Sequence, residues 1–323
     1  MTERRLDGAQ QRAEAAALPP PGAGTVALGC GNFGGVGSAP AFFGQGIEHD
    51  EAFAIMDRAW ESGIRWFDTG DAYGGGSSES WIGEWCRDRN HVPTITTKVF
   101  HSTTGTPGDT GLAPGRIRRQ LESSLERLRV DRIDLYLAHE PDPATQISET
   151  IDAFETLRSE GLIATWGLSN YDSAGLEEAV RHGQPALLQN SFSLLDRADE
   201  DDVVPFCTEH GIAYVPFGPL SGGWLTGKYR RGEPYPEGSR MTMRPGPYER
   251  LADDRVFDGL DRLREEAAGR GVDLTTLAFA WVLARVDGAV CGPNRATQLE
   301  PILAARALQL SNDDVDRIGG FFQ

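Results

Sequence analysis

From Val26 onward, short apolar runs alternate with longer stretches in which apolar residues return every three or four positions. The short runs are Val26–Gly29, Ile64–Thr69, Thr94–Val99, Ile133–His139, Thr165–Ser169, Ala186–Gln189, Ala213–Phe217 and Gly288–Cys291, and each predicts a strand. The stretches around 50–62, 77–89, 115–129, 148–160, 173–182, 199–210, 273–285 and 296–307 predict helices. Strands that alternate with helices run parallel, because each helix carries the chain back to the edge where the next strand starts. Eight such units close into a (β/α)8 TIM barrel, a single domain over residues 26–323 with its site at the C-terminal ends of the strands. An open doubly wound sheet would instead join its first strand to a helix through G-x-G-x-x-G. Gly29-Cys30-Gly31-Asn32-Phe33-Gly34-Gly35 matches that pattern loosely, and no helical period follows until about residue 50. The barrel is favoured.

Two segments fall outside the alternation. Residues 1–25, with their Ala- and Pro-rich run from Ala13 to Ala23, read as a flexible leader. The Gly-, Pro- and Arg-rich stretch at about 220–247 follows the seventh strand, and loops longer than about 12–15 residues are usually functional or disordered. It is expected to act as a lid or cofactor clamp.

Composition narrows the partners. A net charge of −17 argues against nucleic acid and anionic membranes. No apolar stretch approaches the about 20 residues of a membrane span. Arg4-Arg5 precede no apolar segment, so residues 1–25 are not a secretory signal and a cytoplasmic location is expected. Cys30, Cys86, Cys207 and Cys291 lie far apart, with no C-x-x-C pair and no His cluster at ligand spacing, so no metal is expected.

The chemistry starts from lysine. Only two of the 31 basic residues are lysines, Lys98 and Lys228, and Lys98 stands at the end of a predicted strand. A compact ammonium can sit buried beside another group and lower its pKa where a guanidinium cannot. Asp68 ends the preceding strand, Tyr73 follows five residues later, and His139 ends the next strand. In a parallel barrel these ends converge on one face. Tyrosine is a weak acid at neutral pH; a nearby ammonium stabilises its phenolate and a carboxylate holds the ammonium. His139 can hydrogen-bond a carbonyl oxygen and orient it.

Six motifs in order extend this reading. Asp68-Thr69-Gly70-Asp71-Ala72-Tyr73-Gly74 is followed by Thr97-Lys98, then by Asp134-Leu135-Tyr136-Leu137-Ala138-His139-Glu140-Pro141-Asp142. Gly167-Leu168-Ser169-Asn170, Gln189-Asn190-Ser191-Phe192-Ser193-Leu194 and the run from Pro219 to Tyr229 complete the set. From Val26 to Gln309 the chain resembles the aldo-keto reductase superfamily. The resemblance implies NAD(P)H-dependent carbonyl reduction without a metal. Hydride passes from the nicotinamide, Tyr73 protonates the oxygen, Lys98 with Asp68 makes Tyr73 acidic, and His139 orients the substrate.

By the same resemblance, Ser169, Asn170 and Gln189 hold the carboxamide, and Phe217 stacks where many members carry Tyr. Leu220, Ser221, Gly223 and Leu225 offer backbone to the pyrophosphate. Gly292, Arg295 and Gln298 belong to the adenosine-phosphate loop, and Ile302 departs from the Asn that many members place against adenine. An Arg295–phosphate bond worth about 1.5–3 kcal/mol would favour NADPH over NADH. Asn32, Phe33, Phe100, Glu140, Phe192 and Trp224 flank the strand ends and are candidates for the substrate pocket. The aromatics suit a hydrophobic or ring-shaped carbonyl compound, whereas Glu140 suits the hydroxyls of a sugar or polyol. Two other readings stand beside a general aldehyde or ketone reductase. One is a pathway-specific ketoreductase for a sugar or natural-product intermediate; the other is a nucleotide-sensing regulatory subunit like those of potassium channels. The sequence sets no oligomeric state.

Overall fold

The computed structural model describes residues 24–323; the expected leader therefore lies almost entirely outside the described residues. Its expected end moves slightly, because β1 already begins at Thr25 (Thr25–Gly29). The remaining strands are β2 (Trp66–Asp68), β3 (Thr94–Val99), β4 (Ile133–Ala138), β5 (Ile163–Ser169), β6 (Leu187–Gln189), β7 (Ala213–Tyr214) and β8 (Gly288–Cys291). All paired neighbours run parallel, in the order β7-β6-β5-β4-β3-β2-β1-β8. The ring closes where Val290 N–H donates to Pro216 O (2.8 Å) and Asp287 N–H to Tyr214 O (3.2 Å). The structure is the (β/α)8 barrel. The seventh strand is shorter than the apolar run suggested because Pro216 has no N–H to give to a ladder.

Eight helices match the predicted stretches within a few residues: α1 (His49–Glu61), α2 (Ser77–Arg89), α3 (Pro114–Leu128), α4 (Ile147–Ser159), α5 (Ser173–His182), α6 (Val203–His210), α9 (Leu274–Leu283) and α10 (Leu299–Ala305). The sixth starts later than expected, because the Asp202 carboxylate caps it by accepting from Val203 N–H at 2.7 Å. The stretch after β7 is not one irregular loop: it contains a 3-10 segment at Ser221–Thr226 and α7 (Arg240–Met243), with another 3-10 segment at Gly246–Leu251. Two helices were not anticipated, α8 (Asp254–Gly269) and α11 (Asn312–Gly319). Asp253 caps the first, which buries Leu260, Leu263 and Ala267 at helical spacing. Ser311 and Asp314 form a capping box on the second.

Side chains alternate between the two faces of a strand, and this parity builds the site. Ala27, Trp66, Leu135, Leu137, Leu187, Val215 and Val290 form the packed interior of the barrel. A second, larger core, including Trp85, Phe154, Trp166 and Trp281, fills the layer between strands and helices. Asp68, His139, Gln189 and Phe217 each lie two residues beyond an interior residue, and so face inward at the mouth. Trp66 Nε1–H donates to Thr96 Oγ1 at 2.7 Å, which turns Thr96, and with it Lys98 two residues on, toward the same interior. The inward row changes from apolar to ionisable where the barrel opens.

Candidate active site

Lys98 is 1% exposed, and its ammonium donates to Asp68 Oδ1 at 2.5 Å and to Thr69 O at 2.8 Å. The other Asp68 oxygen, Oδ2, accepts from Gln189 Nε2 at 2.9 Å. Both carboxylate oxygens are thus engaged, which a buried charge requires. Tyr73 enters from the loop after β2. Three glycines follow it with φ of 59°, 66° and 95° at Gly74, Gly75 and Gly76, a run that side chains would strain. A Cβ at Gly31 or Gly70 would lie 3.4 Å from the Tyr73 ring, so bare backbone from two loops packs against the ring. Lys98 Nζ stands 5.0 Å from the ring centroid, and the hydroxyl lies 3.4 Å from His139 Nε2. Asn170, at a left-handed φ of 64°, donates its Nδ2–H to His139 O at 2.8 Å. Asp68, Tyr73, Lys98 and His139 come together as the sequence suggested.

The electrostatics modify one expectation. Burial pushes the Tyr73 hydroxyl above the ordinary tyrosine value, and the pull of Lys98 toward lower pKa does not overcome it. For Lys98, burial favours the neutral amine, but Asp68 and Tyr73 outweigh it and hold the pKa above the usual lysine value. Tyr73 is therefore protonated across the neutral range. Burial, followed by Lys98 and His101, drives His139 well below the ordinary imidazole value, so its ring is neutral.

That depression has a consequence for stability. Below about pH 6.5 the unfolded His139 binds a proton that the folded one refuses, so stability falls as pH falls, by up to about 1.4 kcal/mol per pH unit. His139→Asn should remove this contribution. Denaturant unfolding of both proteins at pH 7 and pH 5 checks it: the loss on acidification should be smaller in the variant, and equal losses would refute the assignment.

Two cavities open around the four side chains. The first, of about 550 Å³, runs from Asp68, Tyr73, Gln189 and Phe217 past Leu220 and Gly223 to Gly292, Gln298 and Ile302. The second, of about 480 Å³, is walled by His101, Ser102, Thr106, His139, Glu140 and Asn170 among others. Tyr73, Gly37, Phe217 and Arg244 border both. The long cavity suits a dinucleotide and the short one a small substrate, and they meet at a phenol.

The family model described as the aldo/keto reductase family matches residues 25–321. The chain belongs to that family. It is 30% identical over 295 residues to an NADH-specific methylglyoxal reductase of Escherichia coli (strain K12), covering 86% of this chain and 89% of the relative. It is also 30% identical over 279 residues to a probable voltage-gated potassium channel subunit beta of Arabidopsis thaliana, covering 81% and 84%. The solved glycerol dehydrogenase of Gluconobacter oxydans superposes with a TM-score of 0.81 at 25% identity, covering 95% of this chain and 93% of that one. As a member of this family the chain is an NAD(P)H-dependent oxidoreductase.

The structure distributes the other anticipated residues unevenly about this reductase site. Ser169 is buried and its hydroxyl donates to Gln189 O at 2.6 Å, while Asn170 borders the short cavity. The N–H groups of Ser221, Gly223 and Leu225 donate within their own turn, to Gly218 O, Leu220 O and Leu220 O, so the expected backbone contacts are already occupied there. Arg295 is exposed, close in sequence to Gly292 and Gln298 of the long cavity, and borders neither cavity itself. Among the pocket candidates, Asn32 borders the long cavity and Glu140 the short one. Phe33, Phe192 and Trp224 line neither of these two cavities: all three are core residues, at most 1% exposed. Phe192 stacks on Trp281 at 5.7 Å, and Trp224 packs on Tyr229 and Phe257. Phe100 lies against the edge of His101 and borders neither cavity.

Three cations on the cavity walls escaped the sequence reading: Lys228, Arg240 and Arg244. Arg240 donates to Asn32 Oδ1, and none of the three forms an ion pair with a carboxylate among the described residues. Lys228, the other of the two lysines, carried a compositional signal; the arginines carried none. Among the described residues no group of three or more His, Cys, Asp or Glu could hold a metal ion, and no helix is long and apolar enough to cross a membrane.

Proposed function

We propose that this protein reduces an aldehyde or ketone to an alcohol with NADPH, using Tyr73 as the proton donor. The observation that carries the reading is the meeting of the two cavities at Tyr73, with the buried Asp68–Lys98 pair behind it. A nicotinamide dinucleotide fits the long cavity: the aromatic face of Phe217 and the Gln189 amide stand at one end, with Lys228 and Arg240 to meet the diphosphate. A nicotinamide dinucleotide held there would supply the hydride for the carbonyl carbon. Tyr73 gives its proton to the carbonyl oxygen as negative charge develops there. Lys98 stabilises the phenolate left behind, and Asp68 keeps Lys98 aimed and charged. Neutral His139 holds the same oxygen through Nε2, which fixes the carbonyl carbon in line for attack. Ser169 and Asn170 position Gln189 and His139 through their hydrogen bonds.

The walls of the short cavity are mixed. Tyr73, Phe217, His101 and His139 supply rings, while Ser102, Thr106, Thr110, Asn170 and Glu140 supply hydroxyls, an amide and a carboxylate; Phe33, Phe192 and Trp224 lie in the core instead. Of the two substrate classes open to the sequence, this supports a small hydroxylated carbonyl compound.

The preference for NADPH rests on Arg295, an exposed guanidinium close in sequence to Gly292 and Gln298 of the long cavity. Arg295→Ala should weaken NADPH about tenfold or more and leave NADH unchanged. Fluorescence titration of wild type and variant with both nucleotides measures this; equal losses would remove the 2′-phosphate contact. The same titration, followed by oxidation of bound NADPH against aldehydes, ketones and keto-sugars, tests the function. Turnover supports the reductase. Binding without turnover on any carbonyl moves the reading to the nucleotide-sensing regulator suggested by the channel-subunit relative. Failure to bind either nucleotide overturns both.

A further inference from the structure

Arg244 stands at the junction of the two cavities and has no anionic partner. A Cβ at Gly37 would lie 3.4 Å from Arg244 Nη1, so the guanidinium rests against Gly37. Gly37 N–H donates to Gly31 O at 2.7 Å, and Gly31 in turn flanks the Tyr73 ring. One turn of backbone therefore separates the guanidinium from the proton donor. Its side chain makes no hydrogen bond or ion pair with another described residue, and it is half-buried.

The other two cations border only the long cavity, and Arg240 is tied to Asn32. The residues at the far end, Gly292, Asn294 and Gln298, also border only that cavity, whereas Arg244 borders the short cavity too and so is within reach of the substrate side. The carboxylates bordering the cavities both have partners other than Arg244. Asp68 is bound to Lys98, and Glu140 lies 3.2 Å from His101 Nε2, a contact that pulls the Glu140 pKa down. A planar fork of donors left without a counter-charge beside a reaction centre matches a carboxylate or phosphate.

We propose that the substrate half of this site selects carbonyl compounds bearing an oxyanion, gripped by Arg244, while Tyr73 protonates the carbonyl at the other end. This rests on the carbonyl-reduction reading and narrows its substrate class. The hydroxyls of Ser102, Thr106 and Thr110 line the same cavity and accommodate a polar chain between the two ends.

The test compares kcat/KM for butanal with 4-oxobutanoate, and for glyceraldehyde with glyceraldehyde 3-phosphate, in wild type and Arg244→Gln. The charged member of at least one pair should be preferred by wild type, and that preference should fall about tenfold or more in the variant. Rates on the neutral members and the NADPH dissociation constant should stay within about twofold. Whichever pair shows the larger loss tells carboxylate from phosphate. No preference for either charged member, or equal losses on charged and neutral members, overturns the proposal. A selective loss of NADPH affinity also overturns it, by making Arg244 a cofactor contact.

If wild type turns over none of these compounds, the reduction reading is decided by the wider carbonyl panel, and binding still tests Arg244. The NADP+-loaded protein titrated with 4-hydroxybutanoate and 1,4-butanediol should favour the carboxylate, and Arg244→Gln should erase that preference. Equal binding of the two by wild type would refute the oxyanion site.

Discussion

Tyr73→Phe should lower kcat/KM for carbonyl reduction by about 10²–10⁴, the range of a positioned general acid, while NADPH affinity stays within about twofold. The variant keeps the ring that Gly31 and Gly70 flank and removes only the hydroxyl facing His139. Packing around the glycine turn is thus preserved, and the loss reads the proton transfer alone. Because burial holds Tyr73 above the usual tyrosine value, wild-type reduction should also be flat from neutral pH upward, declining only at strongly alkaline pH. Stopped-flow oxidation of NADPH by wild type and variant across pH provides both readouts. A variant with wild-type turnover would mean that His139 or solvent donates the proton. A wild-type profile that fell off near neutrality would mean that Tyr73 is far more acidic than its burial dictates.

The second large effect is on Lys98. Lys98→Met should cost about 3–5 kcal/mol of stability, because it leaves the Asp68 carboxylate buried at 3% exposure with Gln189 as its remaining side-chain partner. The sign is set by the raised Lys98 pKa. Its stabilisation is fully present below the unfolded value of about 10.4 and disappears only as pH rises through the higher folded value, so it is complete at pH 7. The same substitution removes the cation that stabilises the phenolate, which should cost a further about 10²–10³ in kcat. The two consequences separate in the double variant Lys98→Met/Asp68→Leu. Removing the orphaned carboxylate should restore much of the stability and none of the activity. Chemical denaturation and steady-state kinetics on the three variants decide the matter. A stable, active Lys98→Met protein would deny the pair both roles.

Most of the barrel could be read before any coordinates, for a physical reason. A strand buried on both faces appears as a short run of apolar or β-branched residues, and β3 and β8 begin and end where their runs do. The extra helices were hidden because α8 and α11 carry many acidic and basic residues on their outer faces, and eight units had already satisfied the barrel count. The constellation of Asp68, Tyr73, Lys98 and His139 was legible because it depends on chain parity and strand ends. Trp66 and Asp68, Leu137 and His139, and Leu187 and Gln189 are spaced by two, so one inward row delivers both the plug of the barrel and the groups above it.

The pocket was not legible in the same way. Hydrophobicity says that Phe33, Phe192 and Trp224 will be covered, but not whether neighbouring helices or a substrate will cover them; the structure assigns them to the protein's own core. Arg240 meets Asn32 from 208 positions away, and Arg244 reaches Gly37 across a comparable separation. No local period encodes such a meeting. The sign of the Tyr73 shift likewise depends on how completely the fold excludes water from the hydroxyl, a quantity that no motif contains. The sequence by itself determined the barrel, the order of its units and the four residues at its mouth, because alternation and strand parity are properties of the chain. Which aromatics face the core, which cations border the cavities and which way burial tips each proton were decided by tertiary packing, because they arise from contacts between segments distant along the chain.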